Sequence, residues 1–212
     1  YYQTRGGIRR RRLADGADQL WLPGAYAYGG IEVARDGRTL VYADTHPGEH
    51  VVAPIDAPDQ AVLREAGSWA DVAADGRWVH VRWNPDGSHQ LVEHAPDGTR
   101  RVLVTGLGPL QHPLYDPSGR TVVFEVSGAE GGIWTVDVRA YPPQRLTLRD
   151  GDSNPVWTRD GKVAFTRWDE LKRPNLMLAD PADGSLADAA RGVAHPQPRL
   201  SISTVPTTGE LL

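Results

Sequence analysis

The chain has 212 residues, enough for one domain or two very small ones, and enough to bury a core without disulfide or metal staples. Hydrophobic residues make up 40%, charged residues 24%, and the formal net charge is -4, which argues against a disordered chain and against a strongly basic nucleic-acid binder. With no Cys, the chain has no disulfide framework, no thiolate metal site and no cysteine nucleophile.

The two ends of the chain suggest a part of a longer protein. It begins with Tyr1 rather than methionine, and Met177 is its only methionine. The first residues, YYQTRGGIRRRR, lack the apolar stretch of a signal peptide, and no run approaches the roughly 20 apolar residues of a membrane helix. We therefore expect no membrane insertion by this segment.

A short turn followed by a β-branched and aromatic run recurs along the chain. The turn is Asp-Gly or Ser-Gly in the first four copies, and the five turn glycines are Gly37, Gly76, Gly119, Gly161 and Gly209. The last copy, TTGELL, is cut off by the C-terminus, and the N-terminal YYQTRGG reads as its continuation. Five units of about 42 residues account for the whole chain, and this period is typical of a β-propeller blade.

Strand propensity, alternation and Asp-Gly turns predict short strands in chain order within three units. In the second unit they fall at 71–73, 78–83, 89–94 and 101–105. In the third they fall at 112–116, 121–126, 133–138 and 144–148. In the fourth they fall at 155–158, 163–168 and 175–179, followed by a poorly patterned outer segment.

The predicted fold is therefore all-β: one domain over 1–212 that forms a five-bladed propeller of four-stranded antiparallel blades. We name the blades by their residues: first (about 28–68), second (69–110), third (111–153), fourth (154–195) and closing (196–212 with 1–27). Pairing of 210–212 with 1–5 in the closing blade would hold the ring by hydrogen bonds, so that neither end of the sheet is left open.

The stretch from 30 to about 185 resembles the TolB-like, WD-type propeller repeat. In that repeat, Pro, any residue, Trp, Ser or Thr, any residue and Asp-Gly precede a hydrophobic strand. NPVWTRDGKVAFTR (154–167), followed by PNLMLADPADGS, matches it best, and HPLYDPSGRTVVFEVSGAEGGIWTVDV (112–138) is similar. The first two units depart from it, with Glu32-Val33 and Asp71-Val72 in place of Pro and Trp. The resemblance implies a bacterial partner-binding protein, a sensor-like domain of a kinase or regulator, or a gating domain of a serine peptidase, and an extracytoplasmic or periplasmic location.

One set of candidate ligand-binding residues lies where the chain enters the innermost strands. Trp69, His112 and Asn154, like Gly30, each lie seven residues before a turn glycine, and His195 precedes Pro196 as His112 precedes Pro113. Side chains from several blades converge at the channel mouth, where they can hold a metal ion, an anion or a peptide terminus. Alternatively, the His-Pro and Asn-Pro pairs only cap a loop.

A second pair of candidates, Glu32 and Asp71, lies five residues before Gly37 and Gly76. Two carboxylates at matched positions of neighbouring inner strands are what a glycosidase needs for its acid and its nucleophile or base. The alternative is that each carboxylate pairs with an arginine.

Three other features have structural interpretations. The segment His46-Pro-Gly-Glu-His50 matches an inverted zinc motif, but Pro47-Gly48 forbids the helix that this motif needs, so we predict a hairpin loop. The arginines at 9–12 predict a solvated outer strand rather than a phosphate site. Tyr115 and Trp157, and likewise Trp83 and Trp168, share repeat positions typical of packing between blades, whereas Trp21 and Trp69 are candidates for a binding surface.

The compact motifs of hydrolases, nucleotide-binding proteins and metalloproteases are absent from the sequence. We therefore predict a monomeric, non-catalytic domain that binds a protein or peptide and needs no cofactor, metal or nucleic acid. The alternatives are a glycosidase-like five-bladed enzyme and the gating propeller of a serine peptidase.

Overall fold

The computed structural model describes residues 2–4, 7–12, 14–23, 31–33, 38–44, 48–57, 60–61 and 63–190. Within these ranges the regular elements are all strands: β1 (Tyr2–Thr4), β2 (Gly7–Arg11), β3 (Asp18–Pro23), β4 (Ile31–Val33), β5 (Thr39–Asp44), β6 (Glu49–Pro54), β7 (Leu63–Val72), β8 (Trp78–Trp83), β9 (His89–His94), β10 (Arg100–Thr105), β11 (Leu110–Tyr115), β12 (Thr121–Val126), β13 (Gly132–Asp137), β14 (Ala140–Arg145), β15 (Asp152–Trp157), β16 (Val163–Trp168), β17 (Pro174–Ala179) and β18 (Leu186–Ala190). In this part of the chain no helix is long and apolar enough to span a bilayer.

The strands form antiparallel sheets in which sequence neighbours are also spatial neighbours. The orders are β1-β2-β3, β4 through β10, β11 through β14 and β15 through β18. The seven-stranded sheet arises because β7 belongs to two blades: Glu49 of β6 pairs with Ala66, and one residue later Gly67 pairs with Arg82 of β8. The first half of β7 is therefore the outer strand of the first blade, and its second half is the inner strand of the second.

The second strand of each of the second, third and fourth blades coincides with its prediction. The outer strand of the third blade is present but begins four residues before the predicted 144–148, because β14 runs from Ala140 to Arg145 and includes Pro142 and Pro143. Proline is tolerated there because an outer strand needs no N–H donor on its open side. The poorly patterned segment of the fourth blade is the outer strand β18.

The core consists of clusters between the faces of successive sheets. Val79 and Val81 on one face of the second blade pack with Phe124 of the third, whereas Trp78 on the other face packs with Val41 and Val52 of the first. The same arrangement joins the third blade to the fourth and β2 to the first blade. Each sheet in the middle of this series buries both faces, as the blade pattern predicts.

Two predictions about the ends have different outcomes. The clasp partner 210–212 lies outside the described residues, so the closed ring and the number of five blades stay predictions. The arginine segment is not an outer strand within the described sheet, because β2 pairs with both β1 and β3. Arg9 contacts Asp18 of β3 at 3.1 Å, and Arg12 contacts Asp15 at 3.0 Å, so these charges are paired locally.

Hydrogen-bonded aspartates at the turns predict an acid-sensitive fold. The hydroxyl of the Ser or Thr two positions later lowers the pKa of Asp86, Asp97 and Asp183 below the ordinary 3.8. A lowered pKa in the folded state stabilises the fold. This stabilisation is complete above the pKa of the unfolded state and is lost as the pH falls through the pKa of the folded state. We expect the free energy of unfolding in urea to decline below about pH 5. The triple substitution D86N/D97N/D183N keeps an acceptor oxygen at each turn and should make this decline less steep, while Asp75, Asp137, Asp160 and Asp169 continue to contribute to it. An equally steep decline in the triple variant would contradict the assignment.

Candidate functional site

A repeated bulge places three of the candidate residues. Of the four non-glycine residues with positive φ in the described ranges, three are Trp69 (53°), His112 (49°) and Asn154 (53°). Each lies at a register shift of its inner strand against the next strand. The three therefore lie inside β7, β11 and β15, rather than at the entrance of the strand as predicted. The inner strand β11 contacts both of the others.

The sequence explains the bulges only in part. His112 and Asn154 each precede a proline, which lacks the N–H of a regular ladder and is therefore found at bulges. A bulge leaves one residue unpaired and redirects its side chain. Asparagine and histidine adopt positive φ more readily than most residues, but for the bulkier Trp69 this conformation is strained, at a cost of about 1–3 kcal/mol.

Contacts join these residues into what we call the inner-strand site: Trp69, His112, Glu125 and Asn154. The rings of Trp69 and His112 have centroids 3.9 Å apart. Nδ1 of His112 lies 3.1 Å from Oε2 of Glu125, and the backbone N–H of Asn154 donates to the same oxygen at 3.1 Å. The side chain of Glu125 is only 12% exposed, so one buried carboxylate connects the inner strands of the third and fourth blades.

The carboxylate also sets what His112 can offer a ligand. A carboxylate only accepts hydrogen bonds, so the tautomer that fits this contact has Nδ1–H of His112 donating to Glu125, and in that tautomer Nε2 is an acceptor. The ring of Trp69 lies against that of His112, and the backbone N–H of Asn154 shares the same carboxylate. All three side chains are partly exposed. The site thus combines an aromatic face with donors and acceptors.

The remaining candidates are placed differently. Asp71 accepts the backbone N–H of Tyr115 at 2.7 Å and so connects β7 to β11 of the next blade. Glu32 lies in β4, but its side chain is outside the described part of the structure, and His195 lies outside the described residues altogether. The expected approach of the carboxylates of Glu32 and Asp71 is therefore untested.

The tryptophans do not fall into packing residues and binding residues as predicted. Trp21 donates its indole N–H to the carbonyl of Ile55 at 2.9 Å and packs against the first blade. Trp69 likewise packs in part against the cluster between the second and third blades, so both contribute to packing. Trp157 is buried as expected and donates to the carbonyl of Leu114 at 3.0 Å. Trp83 is 46% exposed, but the edge of its ring lies against Gly48 of the first blade, so it packs between blades only in part.

The predicted hairpin at the inverted zinc motif is present, since β5 pairs with β6. Its residues 45–47 lie outside the described ranges. Glu49 and His50 belong to β6 rather than to the loop, pairing with Asp44 and Ala43.

A cluster that the sequence analysis missed lies between the first two blades. Oε2 of Glu65 lies 3.4 Å from Nε2 of His80 and 3.4 Å from Nε2 of His94. These three atoms all lie within 4.8 Å of one another, in an arrangement that suits a metal ion. Burial lowers the pKa of His94, and the charges of Arg100 and Arg82 act in the same direction against that of Glu65.

The pairing of β8 with β9 predicts part of this cluster. In the β8–β9 hairpin Trp78 faces His94, and His80 lies two residues from Trp78, which places the three rings on one face. Glu65 has no such signal, because it comes from the outer strand of another blade.

No protein-family model and no curated protein matches the sequence. Among solved structures, the chain is similar to TolB from Acinetobacter baumannii, with 14% identity, a TM-score of 0.65 and coverage of 83% of this chain and 47% of that one. It is similar to a gluconolactonase from Xanthomonas campestris, with 17% identity, a TM-score of 0.65 and coverage of 90% and 70%. It is also similar to a chain of a nidogen–laminin complex, with 17% identity, a TM-score of 0.61 and coverage of 86% and 70%.

These likenesses show the fold alone. The chain has a TolB-like β-propeller fold, and it spans about half the length of the TolB structure. The three proteins are named for different functions. Their names therefore assign no activity and no partner to this chain, and its own residues have to be considered.

Proposed function

We propose that the chain binds a protein or peptide segment at the inner-strand site and has no catalytic activity of its own. The observation that carries the proposal is the shared left-handed conformation of Trp69, His112 and Asn154. Strained backbone persists where the surrounding structure enforces it, and such positions cluster at functional sites.

The chemistry of the site supports a peptide. An extended segment presents backbone donors and acceptors, which the amide of Asn154 and Nε2 of His112 complement. The indole face of Trp69 suits an apolar side chain, or a basic one through a cation–π contact. Because Glu125 fixes the ring of His112, less ordering is required when the peptide binds.

The glycosidase alternative has less support. Asp71 already accepts a backbone N–H across two blades, which gives it a structural role. A peptidase-gating role would place the catalytic groups on another part of the protein, and in that case the same site would contact the substrate peptide.

The test uses glycine substitutions, because glycine adopts φ near +50° without strain. W69G, H112G and N154G each remove one side chain from the site and also relieve the backbone. For the tightest ligand from a peptide array, we expect each variant to lose about tenfold in affinity, as hot-spot residues do. Titration calorimetry gives the affinities, and W83A is the matched control because it removes an exposed tryptophan elsewhere.

Two results would contradict the proposal. One is an affinity that W69G, H112G and N154G leave unchanged. The other is turnover of a glycoside substrate that D71N abolishes while W69G preserves it.

A further inference from the structure

We propose that Glu65, His80 and His94 form a binding site for one divalent transition-metal ion, with Zn²⁺ as its best match. The proposal is independent of the peptide site, which lies on the inner strands. Two imidazole nitrogens and one carboxylate oxygen are a donor set that Zn²⁺ takes in proteins.

The distances fit such an ion. Donors about 2.0–2.1 Å from a tetrahedral ion lie about 3.3–3.4 Å from one another. Both separations from Oε2 of Glu65 are 3.4 Å, which matches this spacing, and the two nitrogens lie within 4.8 Å of each other.

Two of the donor atoms make no hydrogen bond although they are buried. Oε2 of Glu65 and Nε2 of His94 are shielded from solvent and make no hydrogen bond in the structure. The side chain of His94 is only 4% exposed. A buried polar atom without a hydrogen bond destabilises the fold, and coordination of a cation removes that cost.

Neighbouring groups fix the ligands in place. Arg100 donates to Oε1 of Glu65 at 2.8 Å, which leaves Oε2 directed at the imidazoles. Trp78 stacks on the ring of His94 with centroids 4.1 Å apart and an interplanar angle of 13°. Such outer contacts orient metal ligands and contribute to their affinity.

The location indicates a structural role. Glu65 belongs to the outer strand of the first blade, whereas His80 and His94 belong to β8 and β9 of the second. The bound ion would therefore link two blades that share β7 and also meet in the cluster of Val41, Val52, Val72 and Trp78.

The experiment uses the whole chain, stripped of metal with a chelator and then titrated with Zn²⁺ against a chromophoric competitor. We expect the wild-type chain to bind one ion and its thermal unfolding midpoint to rise with Zn²⁺. The nearly isosteric E65Q should bind at least about 100-fold more weakly, because loss of an outer contact alone costs about 10–100-fold. Co²⁺ should give the visible absorption of a tetrahedral site in the wild type only.

The control is H112N, which alters the other site and should leave Zn²⁺ affinity unchanged. Near-UV circular dichroism establishes that E65Q is folded, and H94N provides a second variant if it is not. Equal affinity of the wild type and both variants would overturn the proposal, as would loss of binding in H112N. Neither result bears on peptide binding.

Discussion

Replacing Arg167 with methionine is expected to lower the free energy of unfolding by about 3–5 kcal/mol. Arg167 donates from Nε and Nη2 to the two oxygens of Asp152, both at 2.7 Å, and the side chain of Asp152 is only 1% exposed. Without its partner the carboxylate is buried as an uncompensated charge, which is the costly part of breaking such a pair.

Urea unfolding followed by circular dichroism measures this loss. The control is R173M, which breaks the pair with Asp169 in a more exposed setting and should change the free energy little. The double variant D152N/R167M removes both charges and should recover part of the stability. A double variant less stable than R167M would show that the charge of Asp152 is not the cause.

Replacing Glu93 with methionine is expected to lower the free energy of unfolding by at least about 2 kcal/mol, because it weakens the contact between the second and third blades. Glu93 is 6% exposed and accepts from Arg77 at 2.8 Å and from the hydroxyl of Tyr115 at 3.0 Å. Arg77 also donates to the carbonyl of Gly119 at 2.6 Å, so the network crosses from one sheet to the next. Burial is the largest cause that raises the pKa of Tyr115, and the charge of Glu93 is the next largest. The hydroxyl therefore stays protonated and remains a donor.

A double-mutant cycle with Y115F separates the interaction from the general effect of each substitution. We expect Y115F to cost clearly less in the E93M background, because the hydroxyl has already lost its acceptor. E170M, which removes an exposed carboxylate, is the matched control. Additive effects of E93M and Y115F would mean that the hydroxyl and the carboxylate act separately.

The sequence predicted equivalent positions for Trp69, His112 and Asn154 because the repeat carries positional information. Trp69, His112 and Asn154 occupy one position of the unit, and equivalent positions of neighbouring blades lie side by side. The left-handed backbone was not predicted, since it depends on a register shift between strands. Glu125 was missed because its role comes from accepting a hydrogen bond from the next blade.

The missed metal cluster has a related cause. Local register places His80 and His94 on one face, but the third ligand, Glu65, arrives from the sheet packed over that face. A contact between blades depends on which faces of the sheets meet and on how closely they pack. The period of the repeat predicts neither. The exposure of Trp83 has the same origin, because its position in the repeat does not say whether a neighbouring sheet covers it.

The sequence alone determined the strand order, the turns and the propeller architecture, because alternation and Asp-Gly turns act over a few residues and recur with a fixed period. Only the tertiary structure decided which polar groups meet across blades, as Asp71 meets the backbone N–H of Tyr115 and Glu65 meets His94. Those meetings depend on the packing of one sheet on another, which sums many weak contacts between residues far apart in the chain.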